Sequence, residues 1–211
     1  MNTFSAMQAV REGWGTFTRR PFFFIGVSLA FFILYSVISW ITDPEGRGAM
    51  SLLLGLASFI VGVVVEMYLI NLALAAEDHP ETVTLSEGKV RMPFLQYAAV
   101  KIATGIIVVI GLILLIVPGI LAILSLMFSN YLVVDKDLRF IDAMKESYRI
   151  TRPHWLQLFL LLVLLVVLNL AGALLLFVGL LVTIPVSMLT MAHAYRTLEH
   201  GASELVPVTT S

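Results

Sequence analysis

The sequence predicts an all-α membrane protein, a polytopic helical bundle of about six transmembrane helices with interfacial amphipathic helices on its surface. Three observations carry that reading. Of the 211 residues, 59% are hydrophobic and only 13% are charged, against roughly 45–50% and about 25% in an ordinary soluble domain. Four runs are almost free of charge, and spanning a hydrocarbon core takes about 20 apolar residues. The basic residues are also divided very unequally among the segments that join those runs. No soluble stretch is long enough to bury a core of its own, so a single integral membrane domain, 1–211, is expected.

The first run, Pro21 to Thr42, suits one crossing near 21–42. The second, Gly48 to Ala76, is interrupted only by Glu66 and gives another near 50–76. The third extends from Ile102 to Val134, too long for one helix, with Pro118 and Gly119 at its midpoint. Proline removes a helical donor and glycine permits a tight turn, so Val117-Pro118-Gly119-Ile120 reads as a hairpin tip between crossings near 97–117 and 119–134. The fourth, Pro153 to Tyr195, must turn between about Gly172 and Gly179 to leave crossings near 155–174 and 177–195.

Orientation follows from lysine and arginine. Arg11, Arg19 and Arg20 precede the first crossing; Lys89, Arg91 and Lys101 fall in and beside the second loop. Lys136, Arg139, Lys145, Arg149 and Arg152 fall in the fourth loop, and Arg196 in the tail, leaving Arg47 alone on the other side. Cytoplasmic loops of membrane proteins carry the excess of positive charge, so both termini are expected inside, in the cell (inner) membrane. Thr18 to Phe22 loosely resembles a twin-arginine export signal, but the apolar run that follows is too long and no small-x-small cleavage site precedes Trp40. These residues therefore read as the cytoplasmic flank of the first crossing. Trp14, Trp40 and Trp155 fall at the expected boundaries, as an aromatic belt does.

Two segments, near 3–18 and 137–151, have the spacing of helices lying on the membrane. From Phe4 onward the apolar positions are Met7, Val10, Trp14 and Phe17; from Leu138 onward they are Ile141, Met144 and Tyr148. The segments resemble each other at a constant offset of 134 residues: Met7, Ala9, Val10, Arg11, Glu12, Gly13 and Trp14 align with Ile141, Ala143, Met144, Lys145, Glu146, Ser147 and Tyr148. A fainter copy begins near Leu85, where Ser86-Glu87-Gly88 precedes Arg91. Either the chain repeats a unit of one surface helix plus one hairpin, or two amphipathic helices are alike by chance.

Several features together resemble a group of bacterial and archaeal multi-pass proteins, similar to the membrane domain attached to some glycerophosphodiester phosphodiesterases. They are Val117-Pro118-Gly119-Ile120, Tyr131 to Asp135, Ala143 to Ser147, Pro185, and Tyr195-Arg196-Thr197-Leu198, covering roughly the last half of the chain. The resemblance implies a compact helical membrane domain of mostly uncharacterised function and supplies no catalytic residues. The phosphodiesterase barrel has no counterpart in this sequence.

Chemistry is sparse. There is no cysteine, no His-Glu-x-x-His, no phosphate-binding glycine loop and no Gly-x-Ser-x-Gly turn, and His79, His154, His193 and His200 share no ligand spacing. No enzyme activity, cofactor or metal is expected, and a net charge of -1 without a basic block argues against nucleic acid as a partner. Glu66 is the one carboxylate inside an apolar crossing, where a charge costs on the order of 2.5 to 3.5 kcal/mol on insertion scales. It continues a face of small residues, Ser51, Gly55, Ser58 and Gly62, and is expected to point into the bundle. It either clips helices together, through Asn130, Asn169 or a tyrosine, or handles protons or cations.

Two functions follow. One is a membrane-organising protein that binds lipids or a protein partner, with Arg19, Arg20, Arg149 and Arg152 meeting anionic headgroups. The other is a small transporter or channel, with or without homo-oligomerisation, that uses Glu66. An enzyme acting on lipid headgroups ranks behind both.

Overall fold

The protein was analysed as a computed structural model that describes residues 4–42, 49–89, 93–175 and 178–204. Arg47 and Arg91 lie outside them, as do the side chains of Trp40 and Ser51. Among the described residues the chain is an all-α bundle without strands.

α1 (Ala6–Arg19) is amphipathic, and Pro21 ends it by opening α2 (Pro21–Thr42), where the missing amide proton has no intrahelical acceptor to lose. α3 (Ala49–Asp78) is the longest helix, 30 residues. A short 3-10 turn over 85–89 leads to α4 (Phe94–Leu114) and then α5 (Ile116–Leu126). The hairpin reverses at Leu115, whose backbone is extended at φ -166° and ψ 146°. Pro118 and Gly119 are thus three and four residues past the turn, inside the first turn of α5, and not at the tip that the proline suggested. Proline is tolerated there, and both glycines are needed for packing: a Cβ on Gly119 would lie 2.8 Å from Leu112 N, and one on Gly111 would lie 2.9 Å from Gly119 Cα.

The expected crossing at 119–134 is broken at Met127 and Phe128, so that α6 (Ser129–Lys136) follows α5 as a separate helix. Asp137 then adopts a left-handed conformation, φ 54°, and its amide bonds back to Val133 O, the usual geometry for closing a helix. α7 (Phe140–Thr151) is the second amphipathic helix; it starts a turn later than expected because Asp137 and Arg139 are the joint. α8 (Trp155–Leu174) and α9 (Leu180–Glu204) form the last hairpin, turning between Gly172 and Gly179 as the sequence required.

Five stretches are long and apolar enough to cross a membrane: in α2, in α3, in α4, through α5 and α6, and through α8. α9, the expected sixth, is not among them; Thr183, Pro185, Ser187, Thr190 and His193 dilute it.

The core lies at one end of the bundle. Its largest wholly buried side chains include Tyr97, Tyr195, Phe128, Met67, Leu132, Leu158 and Leu161. At the opposite end α2 and α3 present apolar side chains outward, with Phe32 61%, Tyr35 74% and Leu53 61% exposed. Between apolar helices in lipid, close van der Waals contact replaces the hydrophobic effect as the cohesive force, and small residues permit it. Gly13 of α1 shows the tightest approach, since a Cβ there would lie 2.3 Å from Thr190 Oγ1 and 2.7 Å from Thr190 N of α9.

The small-residue face expected on α3 is not used in this way. Gly55 and Gly62 have nothing within 4 Å of an added Cβ, and Ser58 bonds to Leu54 O in its own helix. The packed face of α3 is the one carrying Val63, Met67 and Ile70. Gly13→Val should therefore undock α1 and lower stability by roughly 2 kcal/mol or more, whereas Gly62→Ala should be neutral or slightly stabilising. Unfolding of the two variants in detergent micelles checks this; equal effects would refute the packing described.

Candidate functional site

Polar chemistry gathers where the ends of α3 and α6 meet α9 between His193 and Glu199, which we term the polar end. Arg196, on α9, donates from Nη1 to both carboxylate oxygens of Asp135 at 3.0 and 3.1 Å, and from Nη2 to Asp78 Oδ2 at 2.7 Å. Tyr195 Oη donates to Asp135 Oδ2 at 2.8 Å. One guanidinium thus ties together helices whose residues lie 118 and 61 positions away in sequence. Around it, His193 Nδ1 meets Glu77 Oε1 at 2.5 Å and Lys136 Nζ meets Glu199 Oε1 at 2.5 Å. Tyr131 stacks on Tyr195 with ring centroids 5.5 Å apart, and Phe128 lies 5.9 Å from both.

Sequence reasoning did not select this cluster as a site, although Tyr131, Asp135, Tyr195 and Arg196 belong to the stretches on which the family resemblance rested. The signal was present: charge returns at the end of each of these apolar runs, at Glu77-Asp78 and Asp135-Lys136, where the helices stop, and at Arg196, beyond which α9 continues to Glu204.

Glu66 meets a partner that the sequence concealed. Lys101, counted above with the second loop, sits in the body of α4, and its Nζ donates to Glu66 Oε2. Neither Asn130 nor Asn169 is that partner. Asn169 bonds to Leu165 O and to Ser187 Oγ, joining α8 to α9, while the buried Asn130 Oδ1 has no hydrogen-bond partner. Glu66 does not turn wholly into the bundle either: its side chain is 39% exposed, on the seam between α3 and α4. The buried Tyr97 hydroxyl lies beside the same carboxylate without closing a hydrogen bond to it.

The four arginines assigned to headgroups fare differently. Arg20 Nη1 donates to Val83 O, and its guanidinium sits 4.8 Å from the Phe23 ring centre. Arg149 makes a two-pronged contact with Glu146 at 2.6 and 2.8 Å. Arg19 has only a loose, solvated contact with Glu81, at 3.6 Å. Arg152 lies 5.9 Å from the Tyr148 ring centre and has no acidic partner among the described residues. Arg19 and Arg152 therefore remain available to anions, and Arg20 and Arg149 are engaged by the protein.

Among the described residues no group of acidic or histidine side chains could hold a metal. A crevice between α2, α3 and α9, lined by Phe24, Ser28, Leu69, Leu72, Pro185 and Leu189, has a volume of only about 20 Å³, room for about one water.

Residues 50–209 match a family described as a domain of unknown function (DUF7847). The chain belongs to that family. No curated protein and no solved structure matches it. The match takes in α3 through α9, including Arg196, Asp135 and Asp78.

Two outcomes follow from this geometry. Arg196→Met removes the guanidinium that Asp78 and Asp135 share. Because the Asp78 side chain is 43% exposed, the loss should fall below that of a fully buried pair, at about 2–3 kcal/mol; unfolding in micelles measures it, and a loss below about 1 kcal/mol would refute the clamp. On α7, the hydrogen bond from Arg149 holds the Glu146 carboxyl below its ordinary range. A depressed carboxylate stabilises above its unfolded pKa and loses that contribution as pH falls through the folded one. Glu146→Gln should thus cost less than about 1 kcal/mol at neutral pH and nothing once the carboxyl is protonated, well below about pH 4.

Proposed function

We propose that the protein is a non-enzymatic, multi-pass protein of the cell (inner) membrane, with both termini cytoplasmic, that organises anionic lipid at the inner leaflet through α1 and α7. The observation that carries this reading is the correspondence of those two helices, residue for residue, at the offset of 134.

On the inner face, buried Ala9, Gly13, Thr16 and Phe17 of α1 correspond to buried Ala143, Ser147, Ile150 and Thr151 of α7. On the outer face, Met7 and Ile141 are 63% and 46% exposed, and Trp14 and Tyr148 are 50% and 42% exposed. Between each apolar and aromatic pair stands an exposed cation, Arg11 or Lys145, with no acidic partner among the described residues. Positions i, i+4 and i+7 share one side of a helix. An apolar residue, a cation and an amphipathic aromatic on that side suit the boundary between acyl chains and headgroups.

The same evidence supports an internal repeat. The first helical amide of α1, Ala6 N, donates to Gln157 Oε1 of α8, and its counterpart in α7, Phe140 N, donates to Gln96 Oε1 of α4. α4 and α8 correspond in turn at an offset of 61: Leu95 and Leu156 are both 80% exposed, Tyr97 and Leu158 are both wholly buried, as are Val100 and Leu161, and Gly111 and Gly172 both close their hairpins. α7 thus sits on the α4–α5 hairpin as α1 sits on the α8–α9 hairpin, although α7 follows its hairpin in sequence and α1 precedes everything. Chance likeness of two amphipathic helices gives no reason for their hairpins to match as well.

The second reading, a transporter or channel that uses Glu66, draws on the buried Tyr97 hydroxyl and Asn130 Oδ1, neither of which has a hydrogen-bond partner. Lys101 weighs against it, because a carboxylate already neutralised by an ammonium clips α3 to α4 and needs no mobile cation. Glu66→Gln in proteoliposomes separates the two: folding retained with a lost proton or cation flux would favour transport.

For the proposed role, the protein extracted with its surrounding lipid should carry anionic phospholipid enriched over the bulk membrane, and each of Arg11→Gln, Lys145→Gln and Arg152→Gln should weaken that preference by about fivefold, the equivalent of about 1 kcal/mol per cation near the surface. Lipid mass spectrometry of the wild type gives the decisive comparison. Co-purifying lipid with the composition of the bulk membrane would end the proposal.

A further inference from the structure

The helices of this bundle differ greatly in reach. α3 and α9 run parallel from the far end to the polar end: Leu69, Leu72 and Ala73 of α3 line one crevice with Pro185, Met188 and Leu189 of α9, and one turn further along both helices Glu77 pairs with His193. From Glu77 back to the start of α3 at Ala49 the helix is about 42 Å long at 1.5 Å per residue, while from His193 back to Leu180 it is about 20 Å. α3 therefore outreaches the tip of the last hairpin by about 20 Å. This explains why α3 and α2 are unpacked beyond the level of Gly62.

The hydrocarbon core of a bilayer is about 30 Å thick. Even with the Arg196 guanidinium held at the very edge of that core, α9 reaches only about 24 Å into it before its first residue, Leu180. Any tilt shortens the reach further. α8 has the length and hydropathy for a crossing of its own, but it cannot use them independently. Gly172 and Gly179 lock it to α9 at the turn, where a Cβ on Gly179 would stand 2.5 Å from Gly172 O.

The side chains at the turn agree with the lengths. Leu174, Leu175 and Val178 are 78%, 68% and 68% exposed, and the sequence from Leu170 to Val182 has no polar side chain. The α4–α5 tip, Ile113 to Val117, is likewise apolar and 67% to 78% exposed. The α2–α3 connection differs, with Asp43, Glu45 and Arg47. Turns that emerge into water carry polar residues, and these two carry none.

We infer that the α8–α9 hairpin does not cross the membrane but enters from the polar-end face, turns within the acyl-chain region and returns. The α2–α3 pair, longer by about 20 Å, reaches the opposite aqueous phase. Exposed peptide groups in hydrocarbon are costly. Backbone-on-backbone packing of Gly172 against Gly179 reduces that cost by turning part of the reversal inward.

The inference does not rest on lipid binding by α1 and α7, and its test is separate. Because the chain has no cysteine, single substitutions report directly. Val178→Cys and Leu175→Cys should resist a membrane-impermeant maleimide added to either side of sealed vesicles, while Glu45→Cys reacts from one side and Lys145→Cys from the other. Nitroxides attached at 178 and 175 should be relaxed by oxygen and shielded from an aqueous nickel chelate. Labelling of the 178 or 175 position from the side that labels 45 would make the hairpin a full crossing. Labelling from the side that labels 145 would put the turn in water, and either result overturns the inference. Agreement between the 175 and 178 positions guards against a single variant that misfolds.

Discussion

A guanidinium half withdrawn from water beside two carboxylates holds this bundle together. Arg196 costs a great deal to desolvate, and that cost is offset by charge pairing: Nη1 donates to both oxygens of Asp135 and Nη2 to Asp78 on a third helix, while the buried Nε has no hydrogen-bond partner. In an apolar solvent there is little else to set how α3, α6 and α9 stand relative to each other, since leucine and valine faces are as content against lipid as against protein. Directional charge pairing at the ends and glycine contacts at the turns fix the register, and the apolar residues between them follow. The core is accordingly densest near the clamp, where Tyr195, Phe128 and Tyr97 are wholly buried, and thins to nothing along the far half of α3.

How much of this could be read from the sequence depended on which signal was asked. Long charge-free runs gave the all-α class and five of the six long apolar stretches, because the length of a helix that suits a membrane is set by the membrane. Amphipathic spacing gave α1 and α7, with boundaries within about three residues. The α4–α5 turn was misplaced because Pro118 was taken as the breaker, whereas a proline in the first turn of a helix breaks nothing. The kink at Met127 and Phe128 left no such mark at all.

The partner of Glu66 was hidden for a different reason. A lysine near the start of an apolar run looks like a flank, and only the antiparallel packing of α4 on α3 shows that Lys101 lies level with Glu66. Asn130 and Asn169 were plausible by polarity alone, and polarity carries no information about register. In the same way, the small residues of α3 at helical spacing were read as a packing face. Small residues permit close approach but do not cause it, and the last hairpin, in which α9 begins near the level of Val64, is too short to bring a neighbour to Gly55.

The mismatch between long and short helices connects these observations. A uniform six-helix barrel would bury the small-residue face of α3, give Glu66 a ring of neighbours and bring every turn to water. Helices of unequal length leave Glu66 on an open seam between α3 and α4, where Lys101 is the nearest group able to balance it. They also concentrate mass at the polar end, where α1 and α7 lie across the hairpins and are tied down by Gln157 and Gln96. A bundle built in this way is broader at one end than at the other, and that asymmetry supports the proposed role at one leaflet over a conduit between two aqueous phases.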